Sequence, residues 1–71
     1  MEPERALREL GIRIRKARTA KKLSRRVLAE LAGMHQNTLK AVEYGKGNPT
    51  YRVLLKLADV LGSTLVDLLR K

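Results

Sequence analysis

The sequence predicts an all-α domain of five short helices, and three observations lead there. Apolar residues recur at helical spacing, most clearly at Leu7, Leu10, Ile14 and Ala17. The helix-capping residues Ser24, Thr50 and Thr64 each stand just ahead of such a stretch. Gly33, Gly45 and Gly62 close the stretches, at the position where a left-handed residue commonly ends a helix. No segment alternates convincingly as a strand.

Taken in order, the first helix is expected over 4–20, until Lys21-Lys22-Leu23 breaks its periodicity. Ser24 caps a second helix over 25–32, ending at Gly33. The third runs over 35–44 and ends at Gly45. Gly45-Lys46-Gly47-Asn48-Pro49 reads as a loop. Thr50 then caps a fourth helix that ends at Gly62, and Thr64 caps a fifth over 65–70. Connections of two to five residues make sequential helices pack on their neighbours. There is no repeat or linker, so residues 1–71 form one domain. Its expected core is aliphatic, for the chain has no Phe or Trp: Leu10, Ile14, Leu23, Leu28, Ala29, Met34, Leu39, Val42, Leu54, Leu57, Ala58, Leu61, Leu65 and Leu68, with Tyr51 at the edge.

Composition narrows the function. The formal charge is +9, and ten of the sixteen basic residues lie in positions 1–26 against three acids there. So dense a single-sign excess costs self-repulsion and favours a polyanionic partner over a merely solvated face. With one His and no Cys, the chain offers no nucleophile, acid–base pair or metal-ligand set. It is therefore read as non-enzymatic, with no cofactor and no metal. The apolar runs are far too short for a membrane span and residues 1–10 lack a signal-peptide core. A soluble, cytoplasmic protein is expected, without a membrane partner.

Residues 25–44 carry the most specific pattern. Two helices crossing steeply over a short turn need a small residue in the first, here Ala29, and positive φ in the turn, here Gly33. Leu28, Met34, Leu39 and Val42 then point inward at matching separations. The pattern is that of a helix-turn-helix.

Around this core the chain resembles a known family. Leu10-Gly11-x-x-Ile14-Arg15, Leu23-Ser24, Leu28-Ala29, Gly33, Val42-Glu43-x-Gly45-Lys46, Asn48-Pro49 and the Leu54…Ala58…Leu61-Gly62 run look like the phage-repressor/Cro-like helix-turn-helix family, also called the xenobiotic-response-element family. The likeness covers roughly residues 7–70. It implies a five-helix, lambda-repressor-like fold, with the second helix across the DNA backbone and the third in the major groove. It also implies an ion pair between Arg18 and Glu43, a role preferred here to DNA contact for Arg18, and a two-fold dimer through the last two helices.

The residues of the third helix agree with that implication. With Leu39 and Val42 inward, Gln36, Asn37, Lys40, Ala41 and Tyr44 turn outward. Gln and Asn can bond adenine N6 and N7 in two-pronged fashion, Lys can donate to guanine O6/N7, and Ala41 allows close approach. Gln36, Asn37, Lys40 and Ala41 are thus the expected base readers. The expected phosphate contacts are Arg15, Arg25, His35, Tyr44 and Lys46. Arg25 stands where relatives often place Gln, and it keeps the donor while adding charge. His35 stands where they usually place a Ser or Thr cap; the alternative is a tolerated surface residue.

Val53, Leu55, Val66 and Leu69 exceed what one small core needs and are the expected dimer interface, the alternative being packing within one chain. Val27 and Leu31 are apolar where similar sequences place charges, and Ile12 also looks off the core face. They either pack against the N-terminal arm or form a patch for a protein partner. The resulting expectation is sequence-specific binding of double-stranded DNA by a dimeric transcriptional repressor at a near-palindromic operator. The alternatives are an antitoxin that represses its own operon while Val27 and Leu31 bind a toxin, the controller protein of a restriction-modification system, and a non-specific nucleic-acid-binding protein.

Overall fold

The computed structural model describes residues 2–69. Five helices follow in the expected order: α1 Pro3–Ala20, α2 Arg25–Ala32, α3 Gln36–Glu43, α4 Tyr51–Val60 and α5 Leu65–Leu69. Position 70, the expected end of α5, lies outside the described residues.

The helix starts follow from local chemistry. Ser24 Oγ, Thr50 Oγ1 and Thr64 Oγ1 each accept the backbone N–H three residues on, from Val27, Val53 and Asp67, at 3.1 Å. Each satisfies a donor that the first helical turn would leave unpaired. Pro3 opens α1, where its missing N–H costs nothing. The turn between α2 and α3 forms at Gly33, with φ of +68°, and is closed by Met34 N–H donating to Ala29 O at 2.9 Å. The end of α1 is less usual. Lys22 adopts φ of +58° while Leu23 N–H reaches back to Arg18 O at 3.2 Å. A lysine thus does what glycine ordinarily does after a helix.

In the packing, α1 lies on α3 and α5, α2 lies on α3 and α4, and α4 lies on α5. Ile14, Leu28, Leu39 and Leu57 are the largest fully buried side chains and join four helices at the centre. Each contributes on the order of 1.5–3 kcal/mol by leaving water. Of the expected core, Leu23, Met34 and Leu65 are half-buried rather than enclosed, whereas Ala32, which periodicity did not single out, is enclosed. Tyr51 is not at the core edge: it is 68% exposed. As the first residue of α4, it projects past the inward stripe of Leu54, Leu57, Ala58 and Leu61.

Gly11 sets how closely α1 crosses α3. A Cβ there would stand 2.5 Å from the carbonyl oxygens of Val42 and Glu43. Only glycine admits that approach, and it brings the end of α3 under the middle of α1.

No helix among the described residues is long and apolar enough to cross a membrane.

Candidate nucleic-acid interface

The close crossing at Gly11 places Glu43, the last residue of α3, beneath Arg18 near the end of α1. Arg18 Nε donates to Glu43 Oε2 at 2.7 Å and Nη2 donates to Oε1 at 3.2 Å. The third edge of the guanidinium, Nη1, donates to Leu23 O at 2.8 Å and holds the turn that leads into α2. The Glu43 side chain has no exposed surface and that of Arg18 has 11%. Paired charges so far from water are tolerated because their hydrogen-bonding groups are occupied. The ion pair implied by the resemblance is present.

Sequence reasoning missed a third member. Arg25, in the first turn of α2, donates from Nε to Glu43 Oε1 at 3.0 Å and from Nη2 to Tyr44 Oη at 3.4 Å. Its guanidinium carbon lies 5.2 Å from the centre of the Tyr44 ring. The hydrogen bond to Glu43 holds the Arg25 pKa above its ordinary value. One carboxylate therefore ties together the end of α1, the start of α2 and the end of α3. The guanidinium of Arg25 remains partly exposed, with Nη1 free of partners among the described residues.

These ties position one open concavity of about 490 Å³ between the start of α2 and the outer face of α3. Ser24, Arg25, Arg26, Gln36, Asn37 and Lys40 line it. Three of the four expected base readers are thereby brought together with Arg25. Gln36, Asn37 and Lys40 are exposed, and none takes part in a side-chain hydrogen bond among the described residues. Ala41 is not in the concavity. It is half-buried, its Cβ facing Gly47, and its carbonyl accepts the Lys46 N–H at 2.8 Å.

The expected phosphate contacts are more scattered. His35 is exposed at the start of α3 and makes no capping hydrogen bond. Lys46 is exposed in the turn after α3, and Arg15 is exposed on α1 outside the concavity. Tyr44 is half-exposed and engaged with Arg25. Arg26 was not anticipated. It lines the concavity and pairs loosely with Glu30 at 3.4 Å on the exposed side of α2. Its one sequence signal was its place beside Arg25, directly after the cap.

The remaining apolar candidates lie elsewhere. Leu55, Val66 and Leu69 are exposed on α4 and α5, whereas Val53 is half-buried against the core. On α2, Val27 is half-buried and Leu31 is 61% exposed. Residues Pro3–Ala20 form α1, where Ile12 is exposed as Leu31 is on α2.

Comparison with known proteins agrees with this geometry. The helix-turn-helix family HTH_3 matches residues 14–68. The chain is similar to the restriction-modification controller protein C.AhdI from Aeromonas hydrophila, with 39% identity, a TM-score of 0.85, and coverage of 87% of this chain and 94% of that one. The N-terminal DNA-binding domain of SinR from Bacillus subtilis is 32% identical, with a TM-score of 0.84 and coverage of 90% and 94%. The clp gene regulator ClgR from Corynebacterium glutamicum is 26% identical, with a TM-score of 0.86 and coverage of 90% and 68%. Among curated protein sequences, none matches the chain. With that family match spanning most of the chain, and with its second and third helices built as described, the protein belongs to the phage-repressor and Cro type of helix-turn-helix family and is a DNA-binding regulator of transcription, not an enzyme.

Proposed function

We propose that the protein reads a specific double-stranded sequence as a dimer, at a near-palindromic operator, and represses transcription there. The observation that carries this reading is the outer face of α3. Gln36 and Asn37 present uncommitted amides, and Lys40 an ammonium without a side-chain hydrogen bond among the described residues, on one concavity beside the cations Arg25 and Arg26. These are the groups that discriminate base edges in a major groove, flanked by groups that bind phosphate. Arg15, Arg25, His35, Tyr44 and Lys46 supply the phosphate contacts in this reading, whereas Ala41, covered by the loop after α3, does not reach the bases.

The dimer rests on Leu55, Val66 and Leu69, whose exposed surface gains by self-association, with Val53 contributing what the core leaves uncovered. One copy is 31 Å in its longest dimension and carries one reading helix. Two such helices about 34–36 Å apart enter successive major grooves, which gives the operator its two-fold symmetry.

A second reading is favoured by one observation. C.AhdI, a restriction-modification controller, matches over nearly its whole length. In that reading the protein regulates a restriction-modification operon. A role as antitoxin needs a protein partner, for which exposed Leu31 and its neighbour Val27 are the candidate surface. SinR, a relative, is known in complex with SinI.

Selection of binding sites from a random duplex library at near-physiological salt tests the proposal. The expected result is a near-palindrome whose half-sites lie about one helical turn apart. A single unpaired half-site would remove the dimer. Enrichment of no sequence would leave only charge-driven, non-specific binding.

A further inference from the structure

Only two aromatic residues occur in the chain, and neither serves the core, which is aliphatic throughout. Tyr51 stands alone at the start of α4. Tyr44 stands between two cations. The Lys40 ammonium lies 5.9 Å from its ring centre and the Arg25 guanidinium carbon lies 5.2 Å from it. Arg25 is further fixed by its bonds to Glu43 Oε1 and to the Tyr44 hydroxyl. The two cations come from different helices. Lys40 is one turn before Tyr44 on α3, whereas Arg25 opens α2.

Two like charges brought to one edge of a groove repel, and a lysine on a surface helix samples many rotamers. Ordering such a side chain on a base edge costs free energy at the moment of binding. An aromatic ring face attracts both kinds of cation and restricts where they sit. A half-exposed ring that packs into no core has few other uses.

We propose that Tyr44 is a positioning residue for DNA recognition, its ring holding the Lys40 ammonium and the Arg25 guanidinium at a set separation before DNA arrives. Lys40 is then delivered to a guanine edge and the free edge of Arg25 to a phosphate, in one register. This role rests on α3 being the base-reading helix. It is separate from any phosphate contact by the Tyr44 hydroxyl, whose oxygen accepts from Arg25 Nη2.

The test compares Tyr44→Phe, which keeps the ring, with Tyr44→Leu, which removes it, each with and without Lys40→Ala. Affinity is measured on the selected site and on every single-base-pair variant of one half-site. Tyr44→Phe is expected to lose affinity equally on all sequences and to keep the wild-type discrimination. Tyr44→Leu is expected to bind the selected site roughly 2- to 12-fold more weakly than Tyr44→Phe, the cost of ordering the freed Lys40 side chain at the moment of binding while Arg25 stays held by Glu43. About 2- to 5-fold of that loss should be discrimination at the one base pair that Lys40→Ala also relaxes. In the Lys40→Ala background, Phe and Leu at position 44 should discriminate equally there.

A Leu variant with the affinity and base preference of the Phe variant, or a discrimination loss undiminished in the Lys40→Ala background, overturns the positioning role. An NMR spectrum of the free protein gives a readout independent of DNA. The ε-methylene protons of Lys40 and δ-methylene protons of Arg25 should be shifted upfield in wild type and Tyr44→Phe, and not in Tyr44→Leu. Absence of that shift in the wild type also overturns it. A wild type that enriches no sequence overturns the reading of α3 and this role together, and so differs visibly from a failure of Tyr44 alone.

Discussion

Arg18 grips Glu43 through two roughly parallel hydrogen bonds across 25 positions of sequence, and the carboxylate so held has no exposed surface. Removing one partner strands the other. Glu43→Ala should therefore cost about 3–5 kcal/mol, because Arg18 loses its counter-charge while still largely enclosed. For a domain this small that corresponds to a fall in Tm of well over ~10 °C. The paired replacement Arg18→Met with Glu43→Leu should recover much of the loss. Urea denaturation of the three proteins checks both statements, and a double variant no better than Glu43→Ala would contradict the account of a stranded charge.

Gly11→Ala should destabilise by about 2–3 kcal/mol, although the substitution favours helix formation in isolation. The added methyl meets two backbone carbonyl oxygens at 2.5 Å, and backbone cannot rotate aside as a side chain does. Thermal unfolding followed by circular dichroism measures this. A stabilised Gly11→Ala would mean that the two helices do not cross so closely.

The opposite sign is expected at Lys22. Its left-handed conformation costs a residue with a Cβ roughly 1–2 kcal/mol, from which glycine's greater freedom in the unfolded chain subtracts about half. Lys22→Gly should raise stability by ~0.5–1 kcal/mol, or a few degrees in Tm. Lys22→Val, β-branched at the same position, should lower it.

On DNA, Gln36→Ala and Asn37→Ala should each relax discrimination at a defined base pair by ~1–3 kcal/mol, leaving other positions unaffected. Arg25→Ala should instead weaken every sequence alike and reduce the slope of log affinity against log salt by about one. Fluorescence anisotropy titrations across a salt series separate the two behaviours. Equal losses for Gln36→Ala on all sequences would remove it from the base-reading set.

Leu69 is 54% exposed on the last helix. If the proposed dimer forms through α4 and α5, Leu69→Lys should sediment as a monomer and bind the selected site more weakly, with the monomer fold intact. An unchanged sedimentation profile would move the interface away from α5.

What the sequence made legible was mostly what local chemistry governs, although periodicity missed Ala32 and put Tyr51 at the core edge. Ser24, Thr50 and Thr64 cap as their hydroxyls predict, Gly33 turns the chain between α2 and α3, and the apolar spacing finds Ile14, Leu28, Leu39 and Leu57 at the centre. The Arg18–Glu43 pair came from family resemblance, since spacing alone does not match one of many cations to one acid. The bond from Arg25 to the same carboxylate was invisible for that reason. Lys22 in the left-handed region carries no signal of its own, because it is imposed by the turn that Arg18 and Leu23 close. Ala41 turned outward by helical geometry, yet the loop after α3 folds back over it, an event that depends on residues 45–47 rather than on its own helix.

The contrast between Glu43 and its neighbours on α3 bears on how such proteins diversify. At eight residues, α3 is too short to persist as a helix on its own, so its shape is imposed by Gly11, Arg18 and the buried leucines. Gln36 and Asn37, by contrast, bond to nothing else among the described side chains, and surface changes of that kind usually shift stability by less than about 0.5 kcal/mol. Duplicated copies of such a gene can therefore wander through alternative residues at 36 and 37 without passing through unfolded intermediates, while a peptide cut out as residues 24–45 would keep Gln36 and Asn37 in its sequence and lose the helix that presents them.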